Sequence, residues 1–207
     1  MRYPLLAATL AALLAAPAAA QIHGALSDAR VLPLNGRMGG VYLQVDEEST
    51  TLQGQLRQSF HPNLDFGFQG GLSRITDGTT RTSVRLGGDF RGQLATQAAD
   101  FPFTLSLGGA IGMESADDRT VLAIGPQVVL SRALGGAERW IAYGGAALLF
   151  SRYDAGAGLE VDTSFPVRVG IEYVPNPDVR LLLEGQVGVS DEIRKEPALT
   201  LGILLPF

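Results

Sequence analysis

From Arg37 onward, apolar residues recur at every second position, in segments of about ten residues separated by turn-like residues. Successive side chains of an extended backbone point to opposite faces, so a period of two predicts strands. Ten segments can be marked. The first is Val41, Leu43, Val45 and the second Leu52, Gly54, Leu56. The third runs Leu64, Phe66, Phe68, Gly70, Leu72 and the fourth Val84, Leu86, Gly88, Phe90. The fifth is Phe103, Leu105, Leu107, Gly109, Ile111, Met113, and the sixth Leu122, Ile124, Pro126, Val128, Leu130. The seventh spans Trp140 to Phe150 and is apolar or small on both faces. The eighth is Phe165, Val167, Val169, Ile171, Tyr173, the ninth Val179 to Val189, and the tenth Leu199, Leu201, Ile203, Leu205, Phe207.

The alternate face is polar or small. It carries Gln53, Gln55, Arg57 and Ser59 in the second segment, and Arg85, Gly87, Asp89 and Arg91 in the fourth. The eighth offers Arg168, Gly170 and Glu172, and the ninth Arg180, Glu184 and Gln186. His61-Pro62-Asn63, Thr76-Asp77-Gly78-Thr79 and Pro175-Asn176-Pro177-Asp178 are turns, because Pro fixes φ and Asn and Asp bond their own backbone. Short links favour antiparallel neighbours. The pattern predicts an all-β, antiparallel up-and-down barrel of ten strands, with eight as the alternative.

Before Arg37 the pattern differs. Arg2, the apolar run Leu5 to Ala16 and Ala18-Ala19-Ala20 have the three-part layout of a secretory signal, and the run is short for a membrane helix. The expected organisation is a cleaved signal peptide over 1–20, a periplasmic lead-in over 21–36 with no assigned element, and one barrel domain over 37–207. The chain has no cysteine, which excludes disulfides and thiolate chemistry. Lys195, the one lysine, follows no glycine-rich turn, so no phosphate loop is present. A net charge of −5 and a pI near 5.0 argue against a nucleic-acid partner. Mean hydropathy of +0.17 is high for a chain with no other long apolar run.

A meander of this kind is either a soluble barrel with an apolar inside or a membrane barrel turned inside out. The last segment alternates to a terminal Phe207, and Leu199 to Phe207 resembles the closing strand of bacterial outer-membrane β-barrel proteins. The resemblance implies a transmembrane barrel in the outer membrane of a Gram-negative cell. It also implies an assembly signal at Phe207 read by the barrel assembly machinery, with the lipid bilayer and lipopolysaccharide as surroundings. With the N-terminal side periplasmic, Phe60, Phe66, Phe90, Phe103, Tyr173 and Phe207 fall on the apolar face near one end, as an interfacial girdle would. Phe150 and Tyr153 are candidates for the other.

The same topology puts Arg57, Arg85, Arg91, Arg168 and Arg180 in the lumen with Asp46, Asp65, Asp89, Glu172 and Glu184, while the excess of acid gathers on the outer rim. The lumen is then neutral by count, which suggests paired charges. Inward glycines such as Gly67, Gly87 and Gly170 leave room for long arginines. Pro126 and Pro166 suggest bulges or register defects, since proline cannot donate to a ladder.

No catalytic constellation emerges. His23 lies in the lead-in and His61 in a turn, neither with a Ser or Cys partner at motif spacing. Glu47-Glu48, Glu114/Asp117/Asp118 and Asp191/Glu192/Glu196 offer oxygen ligands without a calcium-loop spacing, so solvated loops describe them better. The expectation is a barrel with no enzymatic activity and no cofactor, in a structural or narrow passive-channel role. The competing expectation is a soluble periplasmic barrel whose cavity, lined by Phe66, Phe68, Leu105 and Ile111, binds a small apolar ligand.

Overall fold

A computed structural model describes residue 25 and residues 27–77, 79–116, 119–135, 138–154, 159–190 and 197–207. The signal segment, His23, Asp117, Asp118, Asp191, Glu192, Lys195, Glu196 and the Tyr153 side chain lie outside the described residues. The strands are β1 (Arg37–Val45), β2 (Ser49–His61), β3 (Leu64–Asp77), β4 (Thr79–Ala95), β5 (Thr104–Ala116), β6 (Arg119–Leu134), β7 (Trp140–Ala147), β8 (Leu149–Asp154), β9 (Leu159–Asn176), β10 (Val179–Ser190) and β11 (Ala198–Pro206). All pairings are antiparallel and follow chain order, except that β7 and β8 each pair with β6 and β9 and not with one another; β11 returns to pair with β1, Met38 opposite Pro206 and Val45 opposite Leu199. The sheet is therefore closed.

β7 and β8 form a single crossing of the wall. Both lie between β6 and β9, and the ladder register is the same on either side of the gap at Leu148. The barrel thus has ten crossings and one interruption. The interruption has a cause in the sequence. Carrying the register through the gap puts Pro126 opposite Leu148 and Pro166 opposite Ala147, so both neighbouring strands lack a donor at the same level. Leu148 N–H still donates to the Pro126 carbonyl at 3.0 Å. The two prolines thus mark one shared defect, and no register shift accompanies it.

Turns close as their residues dictate. Asp178 N–H donates to the Asn176 side chain at 3.0 Å, and β9 gives way to β10 across that turn. We call the rim with this turn and Phe207 the lower rim. There Phe207 N–H donates to the Arg37 carbonyl at 3.0 Å and Arg37 N–H returns the bond, stitching the two ends of the sheet.

Outside and inside are reversed relative to a soluble barrel. Leu52, Phe68, Leu72, Ile124, Val169, Leu201 and Ile203 are all at least half exposed. Their inward neighbours Thr51, Gln53, Gln69, Ser73, Arg168 and Thr200 are buried. Phe66, Phe68, Leu105 and Ile111, expected to line a cavity in a soluble ligand-binding barrel, stand on the outer wall, because Asp65, Gly67, Gln69, Thr104 and Ser106 take the inward parity. That expectation is overturned. On the outer wall near the lower rim, Phe60 meets Phe66 at 6.1 Å, Phe66 meets Phe90 at 6.5 Å, and Trp140 lies 4.5 Å from Tyr173 between ring centroids. These rings form the expected aromatic band, with Trp140 added to it.

Candidate functional site

The bore is the only place where the described structure concentrates polar chemistry. Alternation along β2, β3 and β4 aims Arg57, Asp65, Asp89 and Arg91 inward, and the register brings Arg57, Gly67 and Asp89 side by side. Arg57 Nη1 pairs with Asp65 and Nη2 with Asp89, so one guanidinium bridges two carboxylates. A Cβ on Gly67 would sit 2.5 Å from Asp89 Oδ2 and 2.6 Å from Arg57 Nη2, so glycine is needed for the pair to form there. Arg91 reaches Asp65 at 3.4 Å. Lower on the opposite wall, Arg180 Nη1 lies 3.4 Å from Glu172.

A second tier lies toward the upper rim. Arg85 Nε is 3.2 Å from Glu114 Oε1, and Ser83 Oγ donates to the same oxygen at 2.5 Å. Arg168 faces Glu184 at 3.9 Å, and Tyr143 Oη donates to Glu184 at 3.1 Å. Burying charges costs several kcal/mol each unless partners repay it, and these arginines and carboxylates are arranged as partners. Nine of the ten charges expected in the lumen, Arg57, Asp65, Arg85, Asp89, Arg91, Arg168, Glu172, Arg180 and Glu184, are on the inner wall; Arg180, at 25% side-chain exposure, is the most open of them.

Two acidic residues change places relative to the sequence expectation. Asp46 shares the inward parity of Tyr42 and Gln44, but β1 ends at Val45 and its carboxylate caps the turn, accepting from Glu48 and Ser49 N–H. Glu114 was expected in an acidic rim loop; β5 continues to Ala116, which turns Glu114 into the bore beside Arg85.

Sequence reasoning missed the role of the lead-in, which has no periodicity to read. Ala25, Ser27, Asp28, Ala29 and Leu32 are buried inside the lower half of the bore. Asp28 N–H donates to Glu172 Oε1 at 2.5 Å, and its carbonyl accepts from Arg91 Nη1 at 2.5 Å. Its carboxylate accepts from Ser131 Oγ at 2.5 Å and pairs with Arg30, with Arg180 at 3.8 Å. Ser106 Oγ donates to the Ala29 carbonyl, Val31 N–H to Gln93 at 3.1 Å, and Leu32 N–H to Asp65 Oδ2 at 3.1 Å. Ala25, Ala29 and Leu32 pack on the inward apolar residues Met38, Tyr42, Val129, Tyr143, Leu182 and Leu204. Burial works against the Asp28 charge, yet Arg30 and the Ser131 hydroxyl hold its carboxyl below the ordinary carboxylate range. Burial likewise opposes the Arg30 charge, and Asp28 and Glu138 more than offset it.

His61 is exposed at the end of β2 and accepts from Asn63 N–H at 3.4 Å through Nδ1. Among the described residues no group of three His, Asp or Glu side chains is placed to hold a metal ion. Beside the lead-in, Arg30, Gln97, Thr104, Ser131 and Glu138 line a cavity of about 290 Å³ at the lower rim.

No protein-family model matches the sequence, and no curated protein matches it. Solved structures do match in fold. A bacterial polysaccharide outer membrane secretin is 12% identical with a TM-score of 0.50, over 84% of this chain; the chain spans 64% of that protein. An outer membrane channel from Pseudomonas putida F1 is 12% identical, TM-score 0.46, over 89% of this chain and all of that one. The N-terminal β-barrel domain of Pseudomonas aeruginosa OprF is 10% identical, TM-score 0.37, over 84% and 98% of the two chains. The closed antiparallel barrel, which in this chain carries its apolar residues outside and its charges within, is a fold the chain shares with an outer-membrane protein of bacteria.

Proposed function

We propose that the chain is an integral protein of the bacterial outer membrane, without enzymatic activity, acting as a narrow porin-like channel whose bore is held shut from the lower, periplasmic side. The observation that carries this is the outer wall, where exposed Leu, Val, Ile and Phe side chains recur on strand after strand around the closed sheet. Water would charge about 25 cal/mol for each Å² of that surface, whereas lipid would cover it. Lipid offers no hydrogen bonds, and a closed sheet needs none from it. The Phe60–Phe66–Phe90 band and the Trp140–Tyr173 pair suit the lipid–water boundary.

A purely structural barrel is the second reading, and the ion pairs that fill the bore favour it. On either reading the partners are the bilayer, lipopolysaccharide at the upper rim, and the assembly machinery, which would read Phe207. Two experiments test the proposal. Unboiled and boiled samples should migrate differently on a gel, and folded protein should float with lipid vesicles. Equal migration with solubility free of detergent would contradict membrane insertion. In a planar bilayer, stepwise conductance supports the channel, and a folded protein that never conducts supports the structural role.

A further inference from the structure

The lead-in does more than obstruct. The backbone N–H, the carbonyl and the carboxylate of its aspartyl unit each meet a group of matching charge or polarity on the inner wall. The backbone N–H of Asp28 finds a carboxylate, Glu172. Its side-chain carboxylate finds the Ser131 hydroxyl, lies 3.8 Å from the Arg180 guanidinium, and is also paired with Arg30 of its own segment. Its carbonyl finds Arg91, and the next carbonyl finds Ser106. These wall residues come from β4, β5, β6, β9 and β10, so five strands converge on two adjacent residues, Asp28 and Ala29, of a segment that belongs to none of them. Four of the five wall groups are nearly fully buried, Arg91 at 2%, Ser106 at 1%, Ser131 at 3% and Glu172 at 0% exposure, and Arg180 is partly open at 25%. A surface that merely fills a hole needs no such match of donor to acceptor. Charge-assisted bonds in a water-poor bore carry the selectivity.

We propose that Arg91, Ser106, Ser131, Glu172 and Arg180 form a binding site inside the bore for an amino acid or short acidic peptide. The chain's own Asp28–Ala29 occupies that site as a built-in surrogate and so closes the barrel. An unlinked ligand of this class brings an ammonium to Glu172 and a carboxylate to Ser131 and Arg180. It competes with the segment and enters the channel as the segment leaves. This rests on the channel reading above and names what that channel recognises.

The test uses the full chain in planar bilayers, with L-aspartate as probe and succinate, which has no nitrogen donor, as control. Asp28→Ala removes the surrogate carboxylate. It should raise the frequency of open-channel events roughly tenfold, the equilibrium value of one lost charge-assisted hydrogen bond. L-Aspartate should then reduce the open current in a saturable way and at lower concentration than succinate. Adding Arg180→Gln should weaken that block. An Asp28→Ala protein that keeps its heat-dependent gel shift yet conducts no more than wild type overturns the surrogate. Equal block by L-aspartate, succinate and sodium chloride of matched ionic strength overturns the site. Loss of the gel shift and of vesicle flotation by the wild type itself would instead defeat the membrane reading on which both rest.

Discussion

Val169 stands on the outer wall at 64% exposure, two residues from the middle of β9, the longest strand. Its cross-strand partners are Gly144 on β7 and Gly185 on β10. No long polar neighbour could pair with a charge placed there. Val161, on the same strand and face, is 69% exposed and eight residues nearer the upper rim. At roughly 3.3 Å per residue and a tilt of about 40°, those residues are separated by about 20 Å along the barrel axis. That is most of an apolar band about 25 Å tall, so Val169→Arg falls in its depth and Val161→Arg at or past its edge. The first should cost about 2–4 kcal/mol and the second about 0–1 kcal/mol. On a water-facing wall, both would stay within about 0.5 kcal/mol. The assay is equilibrium unfolding from lipid vesicles in guanidinium, followed by Trp140, the one tryptophan, which sits on the outer wall. Two small and equal costs would refute a lipid-facing wall.

Replacing Arg57 by Met leaves Asp65 and Asp89 without the guanidinium that bridges them and should cost about 3–5 kcal/mol; the same unfolding assay reads it, and adding Asp89→Asn should recover part of the loss. Phe207→Ala should lower the amount of assembled barrel in cells while leaving the in vitro midpoint nearly unchanged, because Phe207 is 70% exposed and its sheet contacts are made by backbone; unchanged surface levels would remove the assembly role. Asp28 is held below its ordinary value of 3.8, so its contribution to lead-in docking is present above that pH and is lost as pH falls through the lower folded value. It faces Arg30, with Arg91, Glu172 and Arg180 on the wall. Wild type should therefore keep more protease protection of residues 27–36 than Asp28→Asn at pH 5 as well as at pH 7; a difference that vanishes in that window would contradict the assignment.

Alternation placed most crossings, because one face had to be apolar over the wall and a slip of one residue would invert it; the seventh segment, apolar or small on both faces, showed no such phase and left eight strands as the alternative. The ends of strands were harder. Asp46 and Glu114 have the parity of the bore, and only the length of the ladder decides that one caps a turn and the other pairs with Arg85. Pro126 and Pro166 announced a defect, but that they flank the same gap at Leu148 follows from register, which needs the partner strands in place. The lead-in was silent for a physical reason. Residues 27–36 form no strand and bond through backbone groups to side chains far away in sequence, as Asp28 does with Glu172 and Arg91, so no local period encodes them. The chemistry of the site therefore became visible only when five strands were assembled around it.

The central claim, a wall that faces lipid around a polar bore, is tested most directly by spin labels along one strand. The chain has no native cysteine, so single cysteines at Leu199, Thr200, Leu201 and Ile203 on β11 can carry the label in vesicle-inserted protein. Accessibility to oxygen, which partitions into lipid, should be high at Leu199, Leu201 and Ile203 and low at Thr200. The reverse phase, or water-soluble quencher reaching the odd positions freely, would contradict it.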